Sequence, residues 1–283
     1  MPAPLFHIET APALPPSADV VVIGGGMIGV CTAYFLATRG LDVALLEKGR
    51  IAAEQSSRNW GWCRQQNRDA RELPMAKASM LLWDRLAQEV GPDIGFRRCG
   101  LLYLSNDEGE IEGWARWRDF ARGEGVETHM LSGVEATERG RATQKTWKGG
   151  VFSPSDGIAD PTKAVPLIAK AIESKGSRVI QFCAARGLDM AGGRVNGVVT
   201  EAGVIRTKTV VLAGGAWASG FCRHVGIAFP QATIRASILS VSAGDGVPDA
   251  LHTKRVSITK RGNGDHTLAI SGQARVDLTP QML

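Results

Sequence analysis

Residues 19–48 read DVVVIGGGMIGVCTAYFLATRGLDVALLEK. The apolar run Val20 to Ile23 breaks at Gly24-Gly25-Gly26, a segment with helical spacing follows from Met27 to Thr38, and a second apolar run, Val43 to Leu46, ends in Glu47. This pattern predicts a strand, a tight turn, a helix and a second strand. In the G-x-G-x-x-G of Gly24, Gly26 and Gly29 the three glycines serve three ends, namely a turn, a bare backbone beside a diphosphate, and close packing of helix on sheet. The helix begins where an anion can sit, with free N–H groups and a positive dipole end turned towards it. Glu47 lies 23 positions after Gly24, where its carboxylate can accept hydrogen bonds from ribose hydroxyls and disfavours a 2′-phosphate. Glycines also make ordinary turns, but strand, helix and acid agree here on a dinucleotide site.

Downstream, KGRIAAEQSSRNWGWCRQQNRD (48–69) surrounds Ser56-Ser57-Arg58-Asn59 with small and polar residues. Such a segment can cap a helix start or wrap a phosphate-bearing ligand. The apolar cluster Trp60, Gly61, Trp62 and Cys63 favours a buried, ligand-facing loop over a solvated one. An amphipathic helix is expected over 74–90, stopped by Gly91-Pro92, then a strand over 96–104. A charged helix over 107–123 follows, with Ile111, Trp114, Trp117 and Phe120 packed on a sheet. After a short helix at 134–141, Gly149 to Pro161 carries the glycine and proline signals of a domain crossing, and a helix over 162–175 ends at Gly176. Short antiparallel strands are expected at 179–183, 187–190, 195–200 and 203–208. Thr209 to Ala213 then runs into Gly214-Gly215-Ala216-Trp217 and a helix to about Val225, a second strand–glycine–helix turn whose backbone can approach a cofactor closely. Strands are expected over 232–242 and 255–271, and residues 1–17, rich in Pro and Ala, read as a loose arm.

The chain has 283 residues, more than one small domain needs, so one large domain or two interleaved ones are expected. Hydrophobic residues make up 44% and charged residues 22%, which excludes a disordered or fibrous chain. The formal charge of +5 is spread over scattered residues without a compact basic run, so no nucleic-acid partner is expected. Cys31, Cys63, Cys99, Cys183 and Cys222 are odd in number, widely spaced and without a C-x-x-C pair, which fits a reducing compartment and no zinc site. His7, His129, His224, His252 and His266 show no metal spacing and read as structural or exposed residues at loops and helix ends. The N-terminus has neither a basic leader nor a long apolar core, and no later segment approaches the ~20 apolar residues of a membrane span. A cytoplasmic protein is expected, with peripheral membrane contact left open.

The segments VVIGGGMIG with Glu47-Lys48, SSRNWG, DGIADP before a helix, GSRVIQFCAARGL and VVLAGGAWAS follow one another from Ala18 to Ser219. In that order they resemble the FAD-dependent amine oxidoreductases of the D-amino acid oxidase type, a group that includes glycine oxidase, sarcosine oxidase and D-amino acid dehydrogenase. The resemblance implies a mixed α/β fold with a Rossmann-type FAD-binding domain (17–92 and 150–227) interleaved with a mainly antiparallel-sheet substrate domain (93–149 and 228–283). It also implies cofactor contacts. Gly24, Gly26 and Gly29, with Met27 and Ile28, face the pyrophosphate, and Glu47, with Lys48, the adenosine ribose. Ser56, Ser57, Arg58 and Asn59 face the pyrophosphate and flavin side, and Ala185 the adenine through its backbone. Ala213, Gly214 and Gly215, with Trp217, form the flavin-proximal backbone.

The chemistry implied by the resemblance is hydride transfer from the carbon bearing an amine to flavin N5, giving an imine that water hydrolyses to a 2-oxo acid or aldehyde. The cofactor carries the hard step, so no paired carboxylates or Ser-His-Asp set is required and no catalytic base is named. Arg58 and Arg64 are candidates to pair with a phosphate or a substrate carboxylate, and equally ordinary as surface residues. The expected partners are a small-molecule amine or amino acid and an electron acceptor or partner subunit. Members of the family continue with another glycine-rich turn beyond the point where this sequence stops. A truncated, inactive fragment or a subunit of such an enzyme is therefore a second reading, and a nicotinamide-dependent oxidoreductase, which the glycine turn alone allows, is a third.

Overall fold

Val20–Ile23 (β1), Met27–Ala37 (α1) and Val43–Leu46 (β2) form in the expected order. The structure, a computed structural model, describes residues 5–242, 244–272 and 274–276. β1 pairs in parallel with β2 on one side and with Thr209–Leu212 on the other, and β2 pairs in parallel with Arg178–Ile180. Strands covered on both faces must be apolar throughout, which is why Val21, Val22, Val43 and Leu45 are fully buried and the two runs show no alternation. On one side of this sheet α1 packs against Ala164–Glu173, burying Val30, Ala33, Val165, Ile168 and Ile172. Each of the larger aliphatic side chains contributes about 1.5–3 kcal/mol by leaving water.

The chain divides into two compact units. One takes residues 5–59, Pro161–Arg235 and 275–276. It holds the four-stranded parallel sheet and the antiparallel sheet Ala185–Ala191, Arg194–Thr200 and Gly203–Arg206. The other takes Trp60–Asp160 and Ala236–Ala274, so residues 60–92, expected with the nucleotide-binding part, fold with the second unit. The expected loose arm is tied down. Ile8 is buried, Ala11 N donates to the Val179 carbonyl, Gln181 N donates to Thr10 Oγ1, and Arg206 N donates to the Pro16 carbonyl. The arm's backbone satisfies sheet-edge groups that would otherwise face water.

In the second unit a seven-stranded sheet runs from Ile238–Val241 at one edge, through His266–Ile270, Val256–Lys260, Ala250–Thr253, Leu101–Ser105 and Gly149–Ser153, to His129–Leu131. All its pairs are antiparallel except Ala250–Thr253 with Leu101–Ser105. Gly149–Ser153, read from the sequence as a crossing segment, is an interior strand. It needs Gly150 because a Cβ there would stand 2.6 Å from the Tyr103 carbonyl oxygen. The single strand expected over 255–271 is a hairpin turning at 261–265. The helix Glu108–Gly123 starts where the sequence placed it, capped by Asp107, whose side chain accepts from Gly109 N and Glu110 N. Its Trp114 is buried against Tyr103, whereas Phe120 is exposed.

Candidate functional site

All the residues singled out as cofactor contacts lie in the unit built on the parallel sheet. Gly24 leaves β1 at φ 115°, and a Cβ there would meet the Ala213 carbonyl oxygen at 2.3 Å. At Gly29 a Cβ would meet the Gly24 carbonyl oxygen at 1.9 Å, so α1 starts as close to the turn as backbone allows. These two glycines fix the shape of the turn. A Cβ on Gly26 would touch only Ser56 Oγ, at 3.1 Å, so that position is a bare face of backbone at the helix start.

The first-turn amides show what this face offers. Met27 N donates to Ser56 Oγ at 2.8 Å, so the loop after β2 caps α1 from a distance, since Gly26 has no side chain to do it. Among the described residues, the amides of Gly26, Ile28 and Gly29 have no acceptor. Three adjacent donors at a positive helix end are the arrangement that an anion satisfies. Ile28 stands next to them with 72% of its surface exposed, an apolar side chain left in water.

Glu47 is buried, at 9% exposure. Its Oε2 accepts from Gly25 N and its Oε1 from Gly49 N, each at 2.8 Å. The carboxylate thereby clamps the glycine turn to the end of β2. Each oxygen keeps a lone pair for a further donor.

Lys48 reaches the other way. Its Nζ pairs with Glu54 at 3.0 Å and lies 4.1 Å from the ring centre of Trp217. Ala213 N donates to the Ile23 carbonyl, and Trp217 N to the Gly214 carbonyl, so the second glycine turn is built against the end of β1. Ala185 opens the strand Ala185–Ala191, paired with Thr200. Ser57, Arg58 and Asn59 are used locally: Ser57 Oγ donates to the Glu54 carbonyl, Arg58 pairs with Glu54 at 3.6 Å, and Asn59 Nδ2 donates to the Ser56 carbonyl at 2.9 Å. They shape the short turn Gln55–Ser57 that presents Ser56.

The second unit holds a buried polar centre that the sequence did not reveal. Asp156, with no exposed surface, accepts from Gln65 N at 2.7 Å, Gln66 N at 3.0 Å and Gln65 Nε2 at 3.3 Å. Burial pushes its carboxyl up, against those hydrogen bonds. Gln66 Oε1 accepts from Ser153 Oγ at 2.6 Å and Thr128 Oγ1 at 3.2 Å. Trp62 Nε1 donates to Thr259 Oγ1, and the Trp62, Tyr103 and His252 rings meet within 6.0 Å of one another. Burial pushes the Tyr103 hydroxyl up to about 12, with Arg64 opposing. Arg64 Nη1 donates to the Gln66 carbonyl.

Two histidines differ from their sequence reading. His252 and His266 lie on strands, not in loops, and both are held below the usual histidine range, chiefly by burial. A histidine depressed in the folded state contributes stability above its ordinary value near 6.5, and this is lost as the pH falls through the folded value. Stability should therefore decline on acidification below about pH 6.5. His252→Gln should flatten that decline in urea titrations taken at successive pH values, and an unchanged slope would contradict the assignment. Cys63 is pushed up to about 12, and Cys31 and Cys99 to about 11, each first by burial. These thiols should react only slowly with a disulfide reagent at pH 8 until the protein unfolds.

Among the described residues no group of three or more His, Cys, Asp and Glu could hold a metal ion, and no helix is long and apolar enough to cross a membrane. Residues 19–278 match a family model described as FAD dependent oxidoreductase. Human mitochondrial sarcosine dehydrogenase is 29% identical over 92% of this chain, which spans 29% of that protein's length. Sarcosine oxidase subunit beta of Arthrobacter sp is 30% identical over 76% of this chain and 55% of its own length. In three dimensions the chain resembles L-amino acid deaminase from Proteus myxofaciens, solved in complex with anthranilate, with a TM-score of 0.88 and 32% identity over 94% of this chain and 61% of that one. The family match runs through both compact units, and the chain belongs to the family of FAD-dependent oxidoreductases.

Proposed function

We propose that this chain binds FAD at the start of α1 and forms part of an oxidoreductase that oxidises the C–N bond of an amino acid or secondary amine. The single observation that carries this reading is the set of first-turn amides at Gly26, Ile28 and Gly29, open beside the buried Glu47 carboxylate. The residues fit the cofactor. The donors match a diphosphate, the bare Cα of Gly26 admits it closely, and the spare lone pairs of Glu47 match ribose hydroxyls while repelling a 2′-phosphate. That last point disfavours a phosphorylated nicotinamide cofactor.

Bound FAD would supply the hydride acceptor. The chain's own residues position and exclude. Ser56 caps α1 and keeps a hydroxyl proton for a phosphate oxygen, the turn after Thr209–Leu212 offers backbone at Ala213, Gly214 and Gly215, and Lys48 supplies a cation beside them. Arg64, in the seven-stranded unit, is the candidate to pair with a substrate carboxylate. The identity of the amine lies with that unit, and the relatives named for sarcosine and for L-amino acids support either an N-methylated or a primary amino acid. A partner subunit is also proposed, supported by the likeness to a protein named as one subunit of sarcosine oxidase. Five free thiols support a reducing, cytoplasmic setting.

The test is direct. Purified protein titrated with FAD should turn yellow and retain the colour through gel filtration, and should bleach anaerobically with sarcosine or an L-amino acid. A folded protein that leaves gel filtration colourless after incubation with saturating FAD would overturn the reading.

A further inference from the structure

Among the described residues Phe182 is the only aromatic one held at positive φ, at 55°, and 65% of its surface is exposed. A bulky side chain disfavours this conformation, and one left mostly in water gains little packing in return. The conformation is imposed by two backbone bonds: Phe182 N donates to the Gly49 carbonyl and Cys183 N to the Glu47 carbonyl, each at 2.9 Å. Gln181 just before it is buried, donating through Nε2 to the Ile8 carbonyl and accepting from Ile51 N. The chain therefore turns sharply out of the sheet, and the first residue it presents is an aromatic ring in water.

The register says what lies beside that ring. Ile23 pairs with Leu46, and Leu46 with Ile180, in parallel, so Gly24, Glu47 and Gln181 leave the sheet side by side. The diphosphate donors stand at the end of the first strand and the ribose acceptor at the end of the second. One further strand spacing, about 4.8 Å, leads to the end of the third, along the line that an extended nucleotide would follow.

We propose that Phe182 is the stacking platform for the adenine of the bound dinucleotide. The inference rests on the FAD reading above and adds a residue to it. On this reading the left-handed backbone is retained because it leaves the ring exposed at the strand ends beside Glu47.

The experiment compares Phe182→Gly, Phe182→Leu and Phe182→Tyr with the unaltered protein, reading the dissociation constant for ADP by calorimetry and the melting temperature without ligand. ADP carries the adenosine and diphosphate and no flavin, so it isolates this end of the site. Loss of one base–aromatic stack should weaken ADP binding roughly 5- to 150-fold in the Gly and Leu variants, and Tyr should restore it. Because glycine adopts positive φ freely, Phe182→Gly should melt no earlier than the unaltered protein. A purely structural role predicts the opposite pairing, a lower melting temperature with unchanged ADP affinity, and would overturn the proposal. Equal ADP affinity in all four proteins would also overturn it while leaving FAD binding intact. If the unaltered protein binds neither ADP nor FAD, both readings fail together.

Discussion

Replacement of Glu47 by alanine is expected to abolish measurable FAD binding and to destabilise the fold by about 2–5 kcal/mol. The two effects have one origin. The carboxylate is buried and holds Gly25 N and Gly49 N, so its removal leaves two amides without an acceptor, each costing about 1–3 kcal/mol. The same loss frees the glycine turn from the end of β2, and the first-turn amides no longer converge. Glu47→Gln separates the roles. It preserves volume and one acceptor, so it should fold with a smaller loss of stability, yet it turns an NH2 towards one of the amides or towards the ribose. FAD affinity should fall about tenfold or more, since hydrogen bonds to a charged group are worth about 1.5–3 kcal/mol. Chemical denaturation and FAD titration of the two variants check this; unaltered affinity in Glu47→Gln would show that the acid serves the turn alone.

Asp156→Ala should be the most destabilising substitution in the seven-stranded unit, by about 2–5 kcal/mol. Three N–H groups of Gln65 and Gln66 converge on a carboxylate with no exposed surface; Gln65 Nε2 also donates to Ser155 Oγ at 3.1 Å, but the two backbone amides depend on the acid. The segment after Trp62–Cys63 would also lose its tie to Gly157–Ala159, because the acid lies at the head of that pairing. Urea unfolding measures the effect, and a change under about 1 kcal/mol would mean that another group takes over the amides.

The strand–glycine–helix–strand unit was legible because local signals and tertiary role coincide there: an apolar run buried on both faces, glycines where backbone touches backbone, and an acid at a strand end. The charged helix from Glu108 was legible for a similar reason, its Asp107 cap being a local device. What could not be read depended on distant partners. Gly149 and Gly150 look like turn residues in sequence and sit in an interior strand, where at Gly150 the neighbouring strand's Tyr103 carbonyl leaves no room for a side chain. The arm before Ala18 carries no periodic pattern, because its contribution is backbone hydrogen bonding to Val179 and Arg206. Asp156 is an ordinary acid in a loop-like segment until Gln65 and Gln66, some ninety positions earlier, are placed beside it.

Within the candidate site, the sequence indicated the ends of β1 and β2 and the second glycine turn. It also singled out Ser57, Arg58 and Asn59, whose side chains in the structure serve the turn that presents Ser56. Phe182 was not legible because neither its exposure nor its backbone conformation is written in the surrounding QFCAAR. The positive φ arises from the bonds to Gly49 and Glu47, more than a hundred positions earlier in the chain.

Where the diphosphate sits decides the rest, and a crystal structure of the protein grown with FAD measures it most directly. Diphosphate oxygens are expected within hydrogen-bond distance of the Gly26, Ile28 and Gly29 amides, with the ribose hydroxyls on Glu47. A bound cofactor whose diphosphate lies away from the start of α1, or those amides satisfied by protein atoms while FAD is bound elsewhere, would contradict the proposed site.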